Sequence, residues 1–141
     1  MPAVTTTARH LARARLFAGL GRAELARIAS LTAERRATAG EVLCRQGEPG
    51  HELFVVVSGE AEVRRNRRRI RTMGAGDVFG ELALLDRAPR SATVTAVTPM
   101  RLLVLGEQDF TALLDEVPAL PHKLLAQLAA WLRAAEPTAQ E

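Results

Sequence analysis

The period of the apolar positions changes twice along this chain. From His10 to Leu31 they fall at Leu11, Leu16, Phe17, Leu20, Leu25, Ile28 and Leu31, with Gly19 and Gly21 between them. That spacing predicts two short helices with a break. Residues 1–8 (MPAVTTTA) carry no period and are expected to form a flexible tail. From Gly40 onward, glycines recur at 47, 50, 59, 74, 76 and 80 between β-branched and aromatic runs, a texture that predicts many short strands. Glu52–Val63 (ELFVVVSGEAEV) and Ile70–Met73 flank an Arg-rich connection centred on Asn66 and read as a hairpin. Ser91–Val97 and Arg101–Leu105 read as two further strands separated by Pro99. Helical spacing then returns. Glu107–Val117 predicts one helix bounded by Pro118, and Ala119–Ala135 a second. In the last helix Leu120, Leu124, Leu128 and Leu132, widened by Leu125 and Trp131, predict one broad apolar face. Helices, a β unit, then helices, without β–α alternation, give an α+β fold built on a small antiparallel barrel or roll. The expected domain spans residues 9–135, with a second flexible tail over 136–141.

With 141 residues the chain is of single-domain size. Its 48% hydrophobic and 25% charged content fits a soluble globular domain and excludes wholesale disorder. The longest apolar run, Leu53–Val57, falls far short of the roughly 20 residues that cross a bilayer. Cys44 is the single cysteine and cannot close an intramolecular disulfide, and no apolar signal segment opens the chain, so the cytoplasm is the expected location.

The net charge of +3 is local in origin. Arg64, Arg65, Arg67, Arg68, Arg69 and Arg71 lie in one short stretch, and without them 13 basic residues face 16 acidic ones. On a projecting turn such charges are solvated, or meet an anionic membrane surface or an acidic partner. No aromatic residue is interleaved to stack bases, which argues against nucleic acid. His10, His51 and His122 sit in separate segments, so no metal spacing is present. No set of nucleophile, base and orienting group stands out, and the chain is not expected to be an enzyme.

Phe79–Val94 (FGELALLDRAPRSATV) carries the chemistry. Gly80 permits close backbone approach, and Glu81–Leu85 predict one short helical turn whose N–H groups favour an anion. Arg90 has a guanidinium able to grip a phosphate through two oxygens, and Ser91 adds a hydroxyl donor. Glu81, an acceptor when ionised, would repel phosphate but accept from a sugar hydroxyl. A nucleotide meets both demands.

This stretch resembles the phosphate-binding cassette of the cyclic nucleotide-binding domain family. Phe79, Gly80, Glu81, Leu82, Ala83, Leu84, Arg90, Ser91 and Ala92 match its pattern, and the likeness extends upstream through Gly40–Val63 and Gly74–Glu81. The resemblance implies an eight-stranded antiparallel β-roll, jelly-roll-like, with N-terminal helices and a C-terminal pair of hinge and lid helices. It implies that Arg90 pairs with the cyclic phosphate and Glu81 accepts from the ribose 2′-hydroxyl. Gly80, Leu82 and Ala83 would give backbone contacts, and Ser91 and Ala92 further donors. The expected ligand is cAMP ahead of cGMP, with no cofactor or metal, and the lid contact is Trp131 or else Arg133. An effector domain or protein in cis or trans is implied, and a homodimer is compatible with it. The competing expectation is a degenerate, non-binding fold that acts as an interaction module through the Arg64–Arg71 hairpin.

Overall fold

A computed structural model of the protein describes residues 2–135; the tail expected over 136–141 lies outside the described residues. In chain order the elements are α1 (Pro2–Arg13), α2 (Arg22–Leu31), β1 (Ala33–Ala37), β2 (Val42–Cys44), β3 (Glu52–Ser58), β4 (Ala61–Arg65) and β5 (Arg68–Met73), followed by β6 (Val78–Phe79), α3 (Glu81–Asp86), β7 (Thr93–Ala96), β8 (Met100–Gly106), α4 (Glu107–Glu116) and α5 (Ala119–Ala135). Two four-stranded sheets, β1-β8-β3-β6 and β2-β7-β4-β5, face each other as an eight-stranded antiparallel roll. The expected fold class is the observed one. No helix among the described residues is long and apolar enough to cross a membrane.

The continuous apolar runs of β3 and β8 have a direct cause: their sheet is covered on both faces. Leu53, Val55, Leu103 and Leu105 pack with Leu11, Phe17, Ile28, Phe110 and Leu120 in a helical core, while Phe54, Val56, Met100 and Leu102 pack with Val63 and Val94 between the sheets. The second sheet is covered only on its inner face, so β4 alternates, burying Ala61 and Val63 and leaving Glu62 half-buried and Arg64 exposed.

Three expectations are corrected. The stretch expected to be a tail over 1–8 is helical from Pro2, because α1 docks through Ala8 and Leu11, and proline is favoured at a first helical position. Glu52–Val63 is two strands on different sheets, broken at Gly59, where φ is +93° and Pro99 and Met100 crowd the backbone. The apolar face of α5 is divided: Leu120 and Leu124 are buried, whereas Leu125 and Leu132 are about two-thirds exposed. Leu128 still packs against the helical core, and beyond it the helix runs off the core.

The Arg-rich hairpin turns on Asn66 and Arg67, both at positive φ, between the paired Arg65 and Arg68. This is the conformation that two-residue hairpins favour. The side chain of Gln46 clamps the turn, Nε2 donating to Asn66 Oδ1 at 2.9 Å and Oε1 accepting from the Asn66 N–H at 2.9 Å.

Candidate functional site

Phe79–Ala83, Arg90–Ala92, the inner residues of the second sheet and the end of α5 enclose a cavity of about 490 Å³. Its entrance is built by the chain reversal at Gly80, whose φ of +92° is left-handed and open to glycine at little cost. A methyl group there would lie 2.7 Å from Arg90 Nη1 and 2.8 Å from the Glu52 carbonyl oxygen, so glycine also serves close approach. The reversal starts α3 with Glu81 pointing inward, 1% exposed.

Arg90 is the second buried charge, 8% exposed. Its Nη1 donates to the Gly80 carbonyl at 2.9 Å and its Nη2 to the Glu52 carbonyl at 3.0 Å, and the guanidinium lies 5.9 Å from the Phe54 ring centroid. Its backbone is held equally firmly, the Arg90 N–H donating to Glu48 O at 2.8 Å and Arg90 O accepting from the Gly47 N–H at 2.9 Å. Two of five guanidinium N–H groups are thereby spent on carbonyls and the rest remain for a guest.

Burial pushes the Glu81 carboxyl up to about 7, against the pull of Arg71 and Arg90. Its side-chain neighbour is Gln127 of α5, whose Nε2 lies 3.5 Å from Oε2. Arg65 and Arg71 of the hairpin also line the cavity, so three guanidinium groups face one carboxyl there. Arg71 sits over the Trp131 ring at 5.0 Å, and Arg65 Nε donates to Ser91 O at 3.1 Å. Inner walls of Val63, Met73, Phe79 and Val94 supply apolar surface, and Cys44, its thiol pushed up by burial, adds to them. An anion with an apolar planar portion and a hydroxyl is the guest this arrangement fits. Among the described residues no group of three or more His, Cys, Asp or Glu is arranged to hold a metal ion.

The structure brings Gly80, Glu81, Leu82, Ala83, Arg90, Ser91, Ala92 and Trp131 to one cavity. Arg133, the other expected lid residue, is exposed and does not line it, because it points away from the face of α5 that carries Gln127 and Trp131. The hairpin is not wholly a projecting solvated turn either, since Arg65 and Arg71 face the cavity. Sequence reasoning missed the Glu52 carbonyl, Phe54, Arg71 and Gln127. It also missed Gly50, where a methyl group would lie 2.1 Å from Arg90 Nε. Only the run of glycines hinted at the last; the others are set by strand pairing and helix docking.

A family model, the cyclic nucleotide-binding domain, matches residues 34–117. The cAMP-dependent protein kinase regulatory subunit of Mycosarcoma maydis is 41% identical over 108 residues, covering 70% of this chain and 21% of that protein. The crystal structure of the catabolite activator protein of Thermus thermophilus matches with a TM-score of 0.81 at 35% identity, over 86% of this chain and 60% of that one. The regulatory domain of Toxoplasma gondii PKA, crystallised with cAMP, matches with a TM-score of 0.72 at 36% identity, over 78% and 44%. The chain spans between about a fifth and a third of the length of the curated relatives it matches at 40–41% identity.

Proposed function

This chain belongs to the cyclic nucleotide-binding domain family, and we propose that it is a cAMP receptor domain whose ligand capture repositions the C-terminal helix. The observation that carries the reading is the pair of buried opposite charges, Arg90 and Glu81, opening into one cavity beside the short helix α3. Arg90, preset by two carbonyls, receives the cyclic phosphate; Gly80, Leu82, Ala83, Ser91 and Ala92 complete that contact. Glu81 accepts from the ribose 2′-hydroxyl. Trp131 caps the base, and cAMP is preferred to cGMP.

Coupling to α5 follows from how α3 is seated. Its Glu81 and Ala83 line the cavity, while Leu84 belongs to the helical core together with Leu120 and Leu124 of α5. A ligand that tightens α3 therefore biases the docking of α5, a population shift driven by unequal affinity for two arrangements. No catalytic step is assigned. The proposed setting is the cytoplasm, with an effector in cis or trans reading α5.

Calorimetric titration of cAMP and then cGMP into the wild-type chain and Arg90→Ala tests the reading. Charged hydrogen bonds of this kind contribute about 1.5 to 3 kcal/mol, so the variant is expected to bind at least tenfold more weakly. Hydrogen exchange in α5 is expected to slow at saturating cAMP. Absence of binding by the wild type at millimolar cAMP and cGMP refutes the receptor; unchanged exchange refutes the coupling alone.

A further inference from the structure

Gln127 is the residue of α5 that reaches the buried carboxyl of Glu81, and its amide is conspicuously underused. Its Nε2 makes one long contact, 3.5 Å to Glu81 Oε2. Its Oε1 is buried and has no hydrogen-bond partner among the described residues. A side-chain amide can donate twice and accept twice. Leaving a buried acceptor unmatched is costly enough that such atoms call for a partner. Trp131, one turn further along α5, lines the cavity with Arg71 on its ring; Gln127 itself does not line it and stands directly behind the Glu81 carboxyl, which does.

We propose that Gln127 is a second ribose-reading residue, delivered by α5, whose amide bonds the same ligand hydroxyl that Glu81 holds. The inference rests on the cyclic nucleotide reading and names the contact by which α5 senses the ligand. A hydroxyl is the group that suits both neighbours, because it donates one hydrogen and accepts others. With Glu81 ionised, the hydroxyl donates to the carboxylate and accepts from Gln127 Nε2. With Glu81 protonated, the hydroxyl accepts from the carboxyl and donates to Gln127 Oε1. Burial brings the Glu81 carboxyl to about 7, so both forms are present near neutrality, and the amide serves each. Recognition of the hydroxyl and docking of α5 thereby become one contact. Linkage makes the consequence reciprocal: a ligand with the hydroxyl favours the docked helix, and the docked helix favours that ligand.

The test is a cycle between one side chain and one ligand group. Affinities of cAMP and 2′-deoxy-cAMP are measured by calorimetry for the full chain, for Gln127→Met, which retains bulk, and for Gln127→Ala, with urea midpoints reporting that each variant folds. The wild type is expected to prefer cAMP strongly, since a site built to bond a hydroxyl rejects its absence. Both variants are expected to lose about fivefold in cAMP affinity, the size of a neutral hydrogen bond, with 2′-deoxy-cAMP affinity unchanged. In the wild type cAMP is expected to slow hydrogen exchange over 119–135 more than saturating 2′-deoxy-cAMP does, and in the variants this difference disappears. Equal loss for both nucleotides makes Gln127 a packing residue and overturns the proposal, as does no loss for either. Wild-type protein that binds neither nucleotide overturns the receptor reading and this inference with it; wild-type binding that depends on Arg90, with an unaltered hydroxyl preference in the Gln127 variants, overturns this inference alone.

Discussion

Gly50→Ala should disable the site without touching the ligand. A methyl group at Gly50 would lie 2.1 Å from Arg90 Nε, 2.2 Å from Cζ and 2.6 Å from Cδ. Ordinary carbon contacts begin near 3.5 Å, so the guanidinium must retreat by roughly an ångström or more. Gly50 is not among the residues at positive φ, so alanine adopts its backbone without strain, and the three nearest obstacles all belong to the Arg90 side chain. The conflict is therefore resolved by Arg90 leaving its seat, which breaks the 2.9 Å bond to Gly80 O and the 3.0 Å bond to Glu52 O. A displaced guanidinium forfeits the phosphate contacts proposed for it, about 1.5 to 3 kcal/mol for a charged hydrogen bond, which is roughly 10- to 150-fold in affinity. The assay is calorimetric titration of cAMP into wild type, Gly50→Ala, Arg90→Ala and the double variant. Once Arg90→Ala has removed the guanidinium there is nothing for the new methyl to strike, so the double variant is expected to bind like Arg90→Ala alone. The coupling energy should then equal nearly the whole effect of Gly50→Ala. Wild-type affinity in Gly50→Ala, or an effect that persists in full when Arg90→Ala is also present, would show that Arg90 does not work from the seat described.

Two further outcomes follow from the same cavity. The buried Glu81 carboxyl stands at about 7 in the folded protein and near 4.3 in an unfolded chain. Between those values the native state binds more protons than the unfolded state, so stability falls as pH rises through the window, by roughly 4 kcal/mol in all. Glu81→Gln removes that slope, and its urea midpoint is expected to gain on the wild type between pH 5 and pH 8; a difference independent of pH contradicts the burial argument. Arg71→Ala removes the cation 5.0 Å from the Trp131 ring, a contact of about 0.5 to 1 kcal/mol. Emission from this single tryptophan is expected to move to the red and to become easier to quench with acrylamide; an unchanged spectrum would mean that Arg71 does not shield the ring.

What the sequence made legible was contiguous. Gly80 to Ala92 carry the chain reversal and then both buried charges within one short stretch, so the resemblance to a family cassette could single them out, where a Glu and an Arg nine apart would not have done so alone. The boundary at Pro118 fell between α4 and α5 for an equally local reason, the missing N–H and restricted φ of proline. β1 was illegible because its stretch AERRA has no apolar run: it is a strand through pairing with β8, where Arg101 donates to Glu34 at 2.6 and 2.9 Å. Gly59 looked like any turn glycine, since the crowding that splits β3 from β4 comes from Pro99 and Met100, far along the chain.

The same distinction separates the two buried charges of the cavity from the groups that hold them. Arg90 is kept in place by the carbonyl of Glu52, 38 positions away, and Glu81 meets Gln127 across 46. Neither partner announces itself by residue type, because a backbone carbonyl is supplied by every residue, and a glutamine on a helix is an ordinary surface choice. The period of α5 is misleading for a related reason: Leu125 and Leu132 extend the apolar pattern but lie off the side that docks, where Leu124 and Leu128 pack, whereas the polar Gln127 turns toward Glu81. A pattern of apolar positions records which side of a helix can be buried. Only the docked neighbour, here α3 with Glu81 in the cavity and Leu84 in the helical core, fixes which turns are buried and which single amide is left beside the Glu81 carboxyl.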